Sequence, residues 1–368
     1  MDLSSDREFD MPEHKVDPLT GILIDASTSE EGWSSYGSFR KCPHLYSMSK
    51  HYKLHNTAGP LVMGTMGHLL QAHHRAIQTM EDGDEVWIGT SYKDELLFGH
   101  KTSANGSLKL CDPGIILSPT AALDAWCARN PAGYQYRSNM LSVFERWLRG
   151  PDKVGIGSTA LAIETPITME LGTDKEGFRS LFIKYDDVAK DIGTEPEIEY
   201  EPILLNMPGH PKHNTPIRVT RRADLIVERR GAFVIVDHKH TSMINVAMAE
   251  DEYAVDGGFQ LFDAIGIRLW GSRAEKVQLN LIERRSPYSV EAPFVRRTGN
   301  VIDNMARRIY DIAHEKAALE LQTLEGTRKF DEWPDRVNET GPCKGKYGKC
   351  MLFEWCITGD HNAPLMDD

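Results

Sequence analysis

The feature that most constrains the fold is a pair of strand-like segments within residues 222–241, RADLIVERRGAFVIVDHKHT. Apolar and β-branched residues fill both segments, and the Arg230-Gly231 step between them is a turn signal, so the stretch predicts a β-hairpin. Asp237 and Lys239 are two residues apart on the second segment, so their side chains leave the same face of the strand. The chain must therefore build a sheet that carries acids beside a lysine.

The order of the remaining elements predicts an α/β fold with a central mixed β-sheet flanked by helices. Helices are expected around Cys42, from about Thr65, and at the SPTAALDAW and LSVFERWLRG segments. Strands follow at ALAIETPITMEL and in the hairpin, and a helix at GGFQLFDAIGIRLWG, a strand at KVQLNLIERR and a long amphipathic helix from residue 300 complete the pattern.

The length of 368 residues and the 40% hydrophobic content fit one large domain with insertions. We expect a flexible arm over residues 1–30 and a single domain over 31–368, in which the N- and C-terminal parts are helical. Insertions are expected at about 83–134 and 171–216. A cysteine-containing segment occupies residues 341–356.

The sequence has no apolar run of about 18 residues, and its first residues are polar and acidic, so we expect neither a membrane span nor a secretory signal. A cytoplasmic location and no membrane partner follow as expectations. The formal net charge is -12, which by itself opposes a nucleic-acid partner because phosphate binding relies on lysine and arginine. Arginines nevertheless surround the hairpin, which leaves either a local basic groove or ordinary solvated faces.

Asp224 and Asp237 supply hard oxygen ligands suited to Mg²⁺ or Mn²⁺, and Lys239 could stabilise charge on a phosphate. The alternative is a surface strand on which acid and base alternate. The apolar run VIV directly before Asp237 predicts a buried strand, and buried charge needs a reason, which favours the catalytic interpretation.

Four sequence elements and their order along the chain resemble the PD-(D/E)XK nucleases, in particular their RecB-like branch. They are GTMGHLL with His68, RADLIV with Asp224, VDHKHT with Asp237 and Lys239, and GGFQLFDAIG with Gln260. The tyrosine that often lies four residues after the glutamine is Ala264 here, which puts a DNA-stacking role of that helix in doubt.

The resemblance implies a restriction-endonuclease-like fold and a metal-dependent DNA nuclease, expected to act as an exonuclease on single-stranded DNA or DNA ends in recombination, repair or replication. His68, Asp224, Asp237 and the carbonyl of His238 would bind the metal, Lys239 would be the catalytic lysine, and Gln260 would orient the lysine or the DNA. Glu164 is a possible further acid near the site. A separate helicase or recombination protein is a possible partner and a phage setting is plausible. The alternative function is a catalytically inactive nuclease-fold module that binds DNA or protein.

Cysteines form the second pattern. Cys343, Cys350 and Cys356 lie within the segment GPCKGKYGKCMLFEWC, and Cys42 lies far upstream before Pro43. Four thiolates can hold either zinc or a [4Fe-4S] cluster, and spacing alone leaves both open. The layout resembles the iron-sulfur members of the RecB-like branch, such as the AddB nuclease domain and CRISPR-adaptation nucleases, which implies a structural [4Fe-4S] cluster.

Overall fold

The computed structural model describes residues 32–52, 59–89, 107–149, 158–242, 244–285, 289–297 and 299–334, together with 344–345, 348–349 and 356. The α-helices in these residues are α1 Trp33–Lys41, α2 Pro43–Tyr52, α3 Gly59–Glu81, α4 Pro119–Arg129, α5 Tyr134–Arg149, α6 Asp187–Ile192, α7 Val246–Ala254, α8 Gly257–Trp270 and α9 Val301–Leu324. The strands are β1 Val86–Ile88, β2 Leu108–Leu110, β3 Ser158–Thr173, β4 Arg179–Ile183, β5 Glu201–Pro202, β6 Arg218–Arg229, β7 Ala232–Thr241, β8 Gln278–Glu283, β9 Val290–Glu291, β10 Lys344–Gly345 and β11 Gly348–Lys349. The helices in these residues include no candidate for a membrane span.

The central sheet is mixed, which confirms the predicted fold class. Its strand order in the described part of the chain is β2-β1-β3-β6-β7-β8-β9, and β4 and β5 also pair with β3. β1 pairs with β3 and β7 pairs with β8 in parallel, whereas the other pairs are antiparallel. The predicted insertion at 83–134 contributes β1 and β2 to this sheet, and the one at 171–216 contributes β4 and β5. Helix α6 also lies in the second insertion.

The β6-β7 hairpin closes through two residues with positive φ, Arg230 at 55° and Gly231 at 81°. Two consecutive left-handed residues form the tight turn whose twist matches that of the paired strands. The register Leu225 opposite Val236 follows from this turn. It places Asp224 and Asp237 at the next position, where the two strands stop pairing.

Helices cover both faces of the sheet. Leu69 and Ala76 of α3 pack in one apolar cluster with Leu225 and Val236. The ring of Phe233, which faces the opposite way on β7, stacks on Trp270 of α8 with 5.2 Å between ring centroids. Strand β7 therefore lies between α3 and α8.

The chain divides into two compact units. One comprises residues 56–203 and 216–311 and contains the central sheet; the other comprises residues 1–55, 204–215 and 312–368. Within the second unit, His44 Nδ1 lies 3.2 Å from the carbonyl oxygen of Trp333, and Ser47 Oγ donates to that of Phe330 at 2.8 Å. The single-domain organisation and the arm over residues 1–30 stay predictions.

Candidate metal centre

A histidine and two carboxylates meet beside the end of the β6-β7 hairpin. His68 Nδ1 lies 3.4 Å from Glu164 Oε1 and 3.6 Å from Asp224 Oδ2. Among the described residues, these three form a group whose ligand atoms all lie within 4.8 Å of one another. One imidazole nitrogen and two carboxylate oxygens are a donor set that suits Mn²⁺ or Mg²⁺.

Strand pairing explains why the two acids meet. Ile163 pairs with Leu225 and Thr165 pairs with Ala223, so Glu164 on β3 lies opposite Asp224 on β6. Glu164 has φ 50°, a strained conformation for a residue other than glycine. The strained residue is thus one whose carboxylate lies beside His68 and whose strand position is opposite Asp224.

His68 comes from α3 and is held from both sides of its ring. Its Nε2 lies 3.0 Å from the carbonyl oxygen of His238, while Nδ1 faces the acids. Burial lowers the pKa of His68, but the carboxylates of Asp224 and Glu164 outweigh burial and raise the pKa to about 9. A bound cation would have to displace this proton, as is usual for metal-ligating histidines.

Asp224 also fixes the backbone of the next strand. Its Oδ2 accepts a hydrogen bond from the amide of His238 at 2.7 Å. The carbonyl of His238, predicted to bind the metal, faces His68 in this structure. The ring of His238 lies elsewhere, with its Nδ1 2.9 Å from Asn280 Nδ2. Burial and the charge of His68 hold the pKa of His238 well below its usual range, so the ring is neutral.

Asp237 lies outside the three-residue group. Its carboxylate forms an ion pair with Lys239, as their shared strand face predicts, and its Oδ1 lies 3.7 Å from Arg221 Nη2. Burial lowers the pKa of Lys239, and the carboxylates of Asp237 and Asp224 outweigh burial and raise it. Lys239 is therefore a cation held at the site, with its ammonium 5.8 Å from the centre of the Phe259 ring.

Gln260 does not hydrogen-bond to Lys239. Its Oε1 accepts from Arg308 Nη1 at 2.6 Å, and its Nε2 donates to the carbonyl of Ala254 at 3.3 Å. Ala264, which stands where the resembled family often has a tyrosine, is fully buried. The roles assigned by resemblance all stay predictions, for His68, Asp224, Asp237, the carbonyl of His238, Lys239 and Gln260.

Sequence reasoning named Glu164 only as a possible extra acid and did not assign individual partners to the arginines. The structure pairs Arg221 with Asp237, Arg222 with Glu164 and Arg308 with Gln260. The first two lie at the start of the Asp224 hairpin, where the sequence shows a group of arginines. No local signal in the sequence indicates the third, which comes from α9.

No protein-family model matches the chain, and no curated protein matches it. Among solved structures, it is similar to a protein of Eubacterium rectale described as "Putative exonuclease", with 10% sequence identity and a TM-score of 0.41, over 100% of this chain and 96% of that chain. It is also similar to the protein SSO0001, with 12% identity and a TM-score of 0.23, over 50% of this chain and 70% of that chain. Such distant likenesses carry no weight for function, which rests on the site geometry.

The cysteine site is described in part. Cys42, between α1 and α2, is buried, and Cys356 is half-buried. Cys343 and Cys350 lie outside the described residues. The four-cysteine arrangement stays a prediction.

Proposed function

We propose that this chain is a metal-dependent nuclease that hydrolyses phosphodiester bonds in DNA. The observation that carries the proposal is the group of His68, Glu164 and Asp224 on three different elements, with the lysine of an Asp-X-Lys pair on the neighbouring strand. Such a combination of hard ligands and a fixed cation is what phosphodiester hydrolysis needs. The resemblance to the PD-(D/E)XK nucleases shares His68, Asp224 and Lys239 with this group.

The site passes a chemical test for a cation. Glu164 and Asp237 are 1% and 2% exposed, and one oxygen of each, Oε2 and Oδ2, accepts no hydrogen bond of ordinary geometry although each has an ion-pair partner. Buried carboxylate oxygens of this kind are costly without a further positive charge. The acids therefore fit a divalent cation.

Each residue has a distinct task in the proposed reaction. His68, Glu164 and Asp224 would hold one Mg²⁺ or Mn²⁺, and Asp237 would either join them or hold Lys239 in place. The metal would supply neutralisation of charge on the phosphate and a more acidic water. Lys239, whose side chain is 33% exposed, would reach the phosphate. Water oxygen bonds to phosphorus, the bond from phosphorus to the leaving oxygen breaks, and that oxygen takes up a proton.

The finer proposal is an exonuclease that acts on single-stranded DNA or DNA ends. The test is digestion of end-labelled linear and circular single-stranded DNA in parallel, with Mg²⁺, with Mn²⁺ and with a chelator. We expect metal-dependent loss of the linear strand and survival of the circle. Cleavage of the circle would instead make the enzyme an endonuclease, and binding without cleavage in any metal would support an inactive binding module.

A matched pair of lysines tests the assignment of Lys239. Lys109 is 34% exposed, close to the 33% of Lys239, and it pairs with the carboxylates of Glu85 and Asp191 at 2.8 and 2.9 Å. Lys239→Ala should abolish cleavage and leave DNA binding in place, whereas Lys109→Ala should cleave normally. Cleavage retained by Lys239→Ala or by Asp237→Ala would contradict the proposal.

We also propose that Cys42, Cys343, Cys350 and Cys356 hold a [4Fe-4S] cluster, with zinc as the alternative. What supports this is the packing of α2 on residues 330–334, where the amide of His44 donates to the carbonyl of Pro334 at 3.1 Å. Residue 42 thus lies near the chain that leads to Cys343. Anaerobically purified protein should be brown with bound iron; colourless protein with stoichiometric zinc would favour the alternative.

A further inference from the structure

Arg222 holds the outer oxygen of a predicted metal ligand. Pro166 pairs with Arg222 across β3 and β6, so Glu164, two residues from Pro166, is its diagonal neighbour on the same face. Arg222 Nε lies 3.2 Å from Glu164 Oε2, while Oε1 of the same carboxylate faces His68. One carboxylate thus lies between an imidazole and a guanidinium.

The guanidinium of Arg222 can leave the carboxylate of Glu164 for another anionic partner. The side chain of Arg222 is 53% exposed, whereas that of Glu164 is 2% exposed, so the guanidinium can move without leaving a buried position. The contact is an ion pair rather than a hydrogen bond, because Glu164 Oε2 accepts none of ordinary geometry. Its neighbour Arg221 differs, since it is 21% exposed and lies 4.6 Å over the ring of Phe262.

We infer that Arg222 and the divalent cation compete for Glu164, and that Arg222 then binds a phosphate of the nucleic-acid strand. This inference rests on the proposed function. Without a cation, the guanidinium neutralises the buried carboxylate. With a cation on Glu164, the carboxylate no longer needs the arginine, and the exposed guanidinium turns to the strand.

The chemistry of arginine fits both partners. Its planar fork pairs with carboxylate and with phosphate alike, and either pairing is a charge-assisted contact. If Arg222 exchanges between the Glu164 carboxylate and a phosphate, a bound cation raises the affinity for the strand, and a bound strand raises the affinity for the cation. Thermodynamic linkage requires this coupling to be reciprocal. Arg222 is thus a substrate-binding residue whose availability depends on the metal site.

Metal titration gives the first test. Mn²⁺ is titrated into the wild type, Arg222→Gln and the matched control Arg229→Gln by calorimetry, without nucleic acid. Arg229 lies on the same strand, with its guanidinium 5.6 Å from the ring centre of Phe294. Arg222→Gln should bind Mn²⁺ about 3- to 10-fold more tightly because the competing cation is gone. The control should match the wild type.

Strand binding gives the second test. A fluorescent single-stranded oligonucleotide is titrated in a Lys239→Ala background, which prevents cutting, with Mn²⁺ and with a chelator. Mn²⁺ should tighten binding about 5- to 50-fold when Arg222 is present and less than about 2-fold in Arg222→Gln. In chelator, the two should bind the strand alike, because Arg222, where present, is then paired with Glu164 and does not contact the strand. Arg222→Lys should retain part of the effect.

The outcomes separate this inference from the proposed function. Unchanged or weaker Mn²⁺ binding by Arg222→Gln, or an undiminished effect of Mn²⁺ on strand binding, overturns the inference alone. Failure of the wild type to bind Mn²⁺ overturns both the metal site and the inference. Circular dichroism checks that each variant is folded, and Arg222→Met, which also removes the charge, replaces Arg222→Gln in both titrations if the latter does not fold.

Discussion

The backbone of Gly89 lies directly against that of Glu164. The amide of Gly89 donates to the carbonyl of Ile163 at 2.9 Å, and a Cβ atom at Gly89 would lie 1.8 Å from the carbonyl oxygen of Glu164. The strained backbone of Glu164 thus has a neighbour that only glycine can provide. Gly89→Ala should therefore lower the free energy of unfolding by about 1–3 kcal/mol, measured by urea denaturation.

Gly64 supplies the control for this substitution. It lies in α3, and a Cβ atom there would meet no atom within 4 Å. Gly64→Ala should raise stability by roughly 0.5–1 kcal/mol, because alanine is the better helix former. Equal effects at the two glycines would contradict the close approach of Gly89 to Glu164.

Cation binding should stabilise the folded chain, because a ligand that binds only the native state raises its stability. Mn²⁺ at about 100 times its dissociation constant should add about 2.7 kcal/mol, visible as a higher melting temperature. Asp224→Asn should lose most of this increase, since Asp224 contributes one of the three grouped ligand atoms. Asp191→Asn is the control, because Asp191 pairs with Lys109 and not with the metal group. A full Mn²⁺ effect in Asp224→Asn would count against the site.

Gln260 and Arg308 should be energetically coupled. Their hydrogen bond of 2.6 Å joins a buried amide to a charged guanidinium, a class of bond worth about 1.5–3 kcal/mol. A double-mutant cycle of Gln260→Ala and Arg308→Ala, followed by denaturant unfolding, should give a coupling energy of at least about 0.5 kcal/mol. Arg307→Ala, at the exposed neighbouring position, should be additive with Gln260→Ala. Additivity with Arg308→Ala would show that the contact contributes nothing.

Glu320 should make the unit that contains it sensitive to acid. Burial raises the pKa of Glu320, but Lys316 and His210, whose Nε2 lies 3.2 Å from its Oε2, outweigh burial and lower the pKa. A carboxyl whose pKa is depressed by folding contributes stability above its unfolded pKa, and this stability is lost as pH falls through the folded pKa. Unfolding of the wild type should therefore become easier as pH falls below about 4.3.

The variant Glu320→Gln should lower the free energy of unfolding at neutral pH by up to about 3 kcal/mol. It should also weaken the dependence of that free energy on pH in the acid range. Glu199 provides the comparison, because it pairs with Lys175 at 3.0 Å but is 84% exposed. Glu199→Gln should leave stability and its acid dependence nearly unchanged, because solvent screens an exposed ion pair. If stability in Glu320→Gln falls with pH as it does in the wild type, other groups cause the acid sensitivity.

Strong local patterns made much of the fold predictable. The hairpin turn at Arg230 and Gly231 was correctly predicted, and the predicted strand and helix that follow correspond closely to β8 and α9. The helix expected from about Thr65 begins earlier, at Gly59. β1 and β2 were not predicted, because three-residue strands are too short to show a periodicity and owe their conformation to pairing with the rest of the sheet.

The site was less predictable than the fold, for a physical reason. His68 and Asp224 could be proposed from motifs, because each motif is local. The approach of Glu164 to both depends on the pairing of β3 with β6, and such a non-local register is not encoded in either segment alone. The same holds for Arg308, which reaches Gln260 from a different helix.

The long strand β3 has a consequence for how the chain is made. It pairs with β1 behind it in the sequence and with β4, β5 and β6 ahead of it, and its first residue, Ser158, pairs with Arg229. Contacts so distant in sequence slow folding, because the entropy of closing a long loop is lost before strand pairing can stabilise the structure. During synthesis, β3 should therefore emerge from the ribosome with its main partner still untranslated. A nascent chain of this protein should need protection from aggregation until β6 and β7 have appeared.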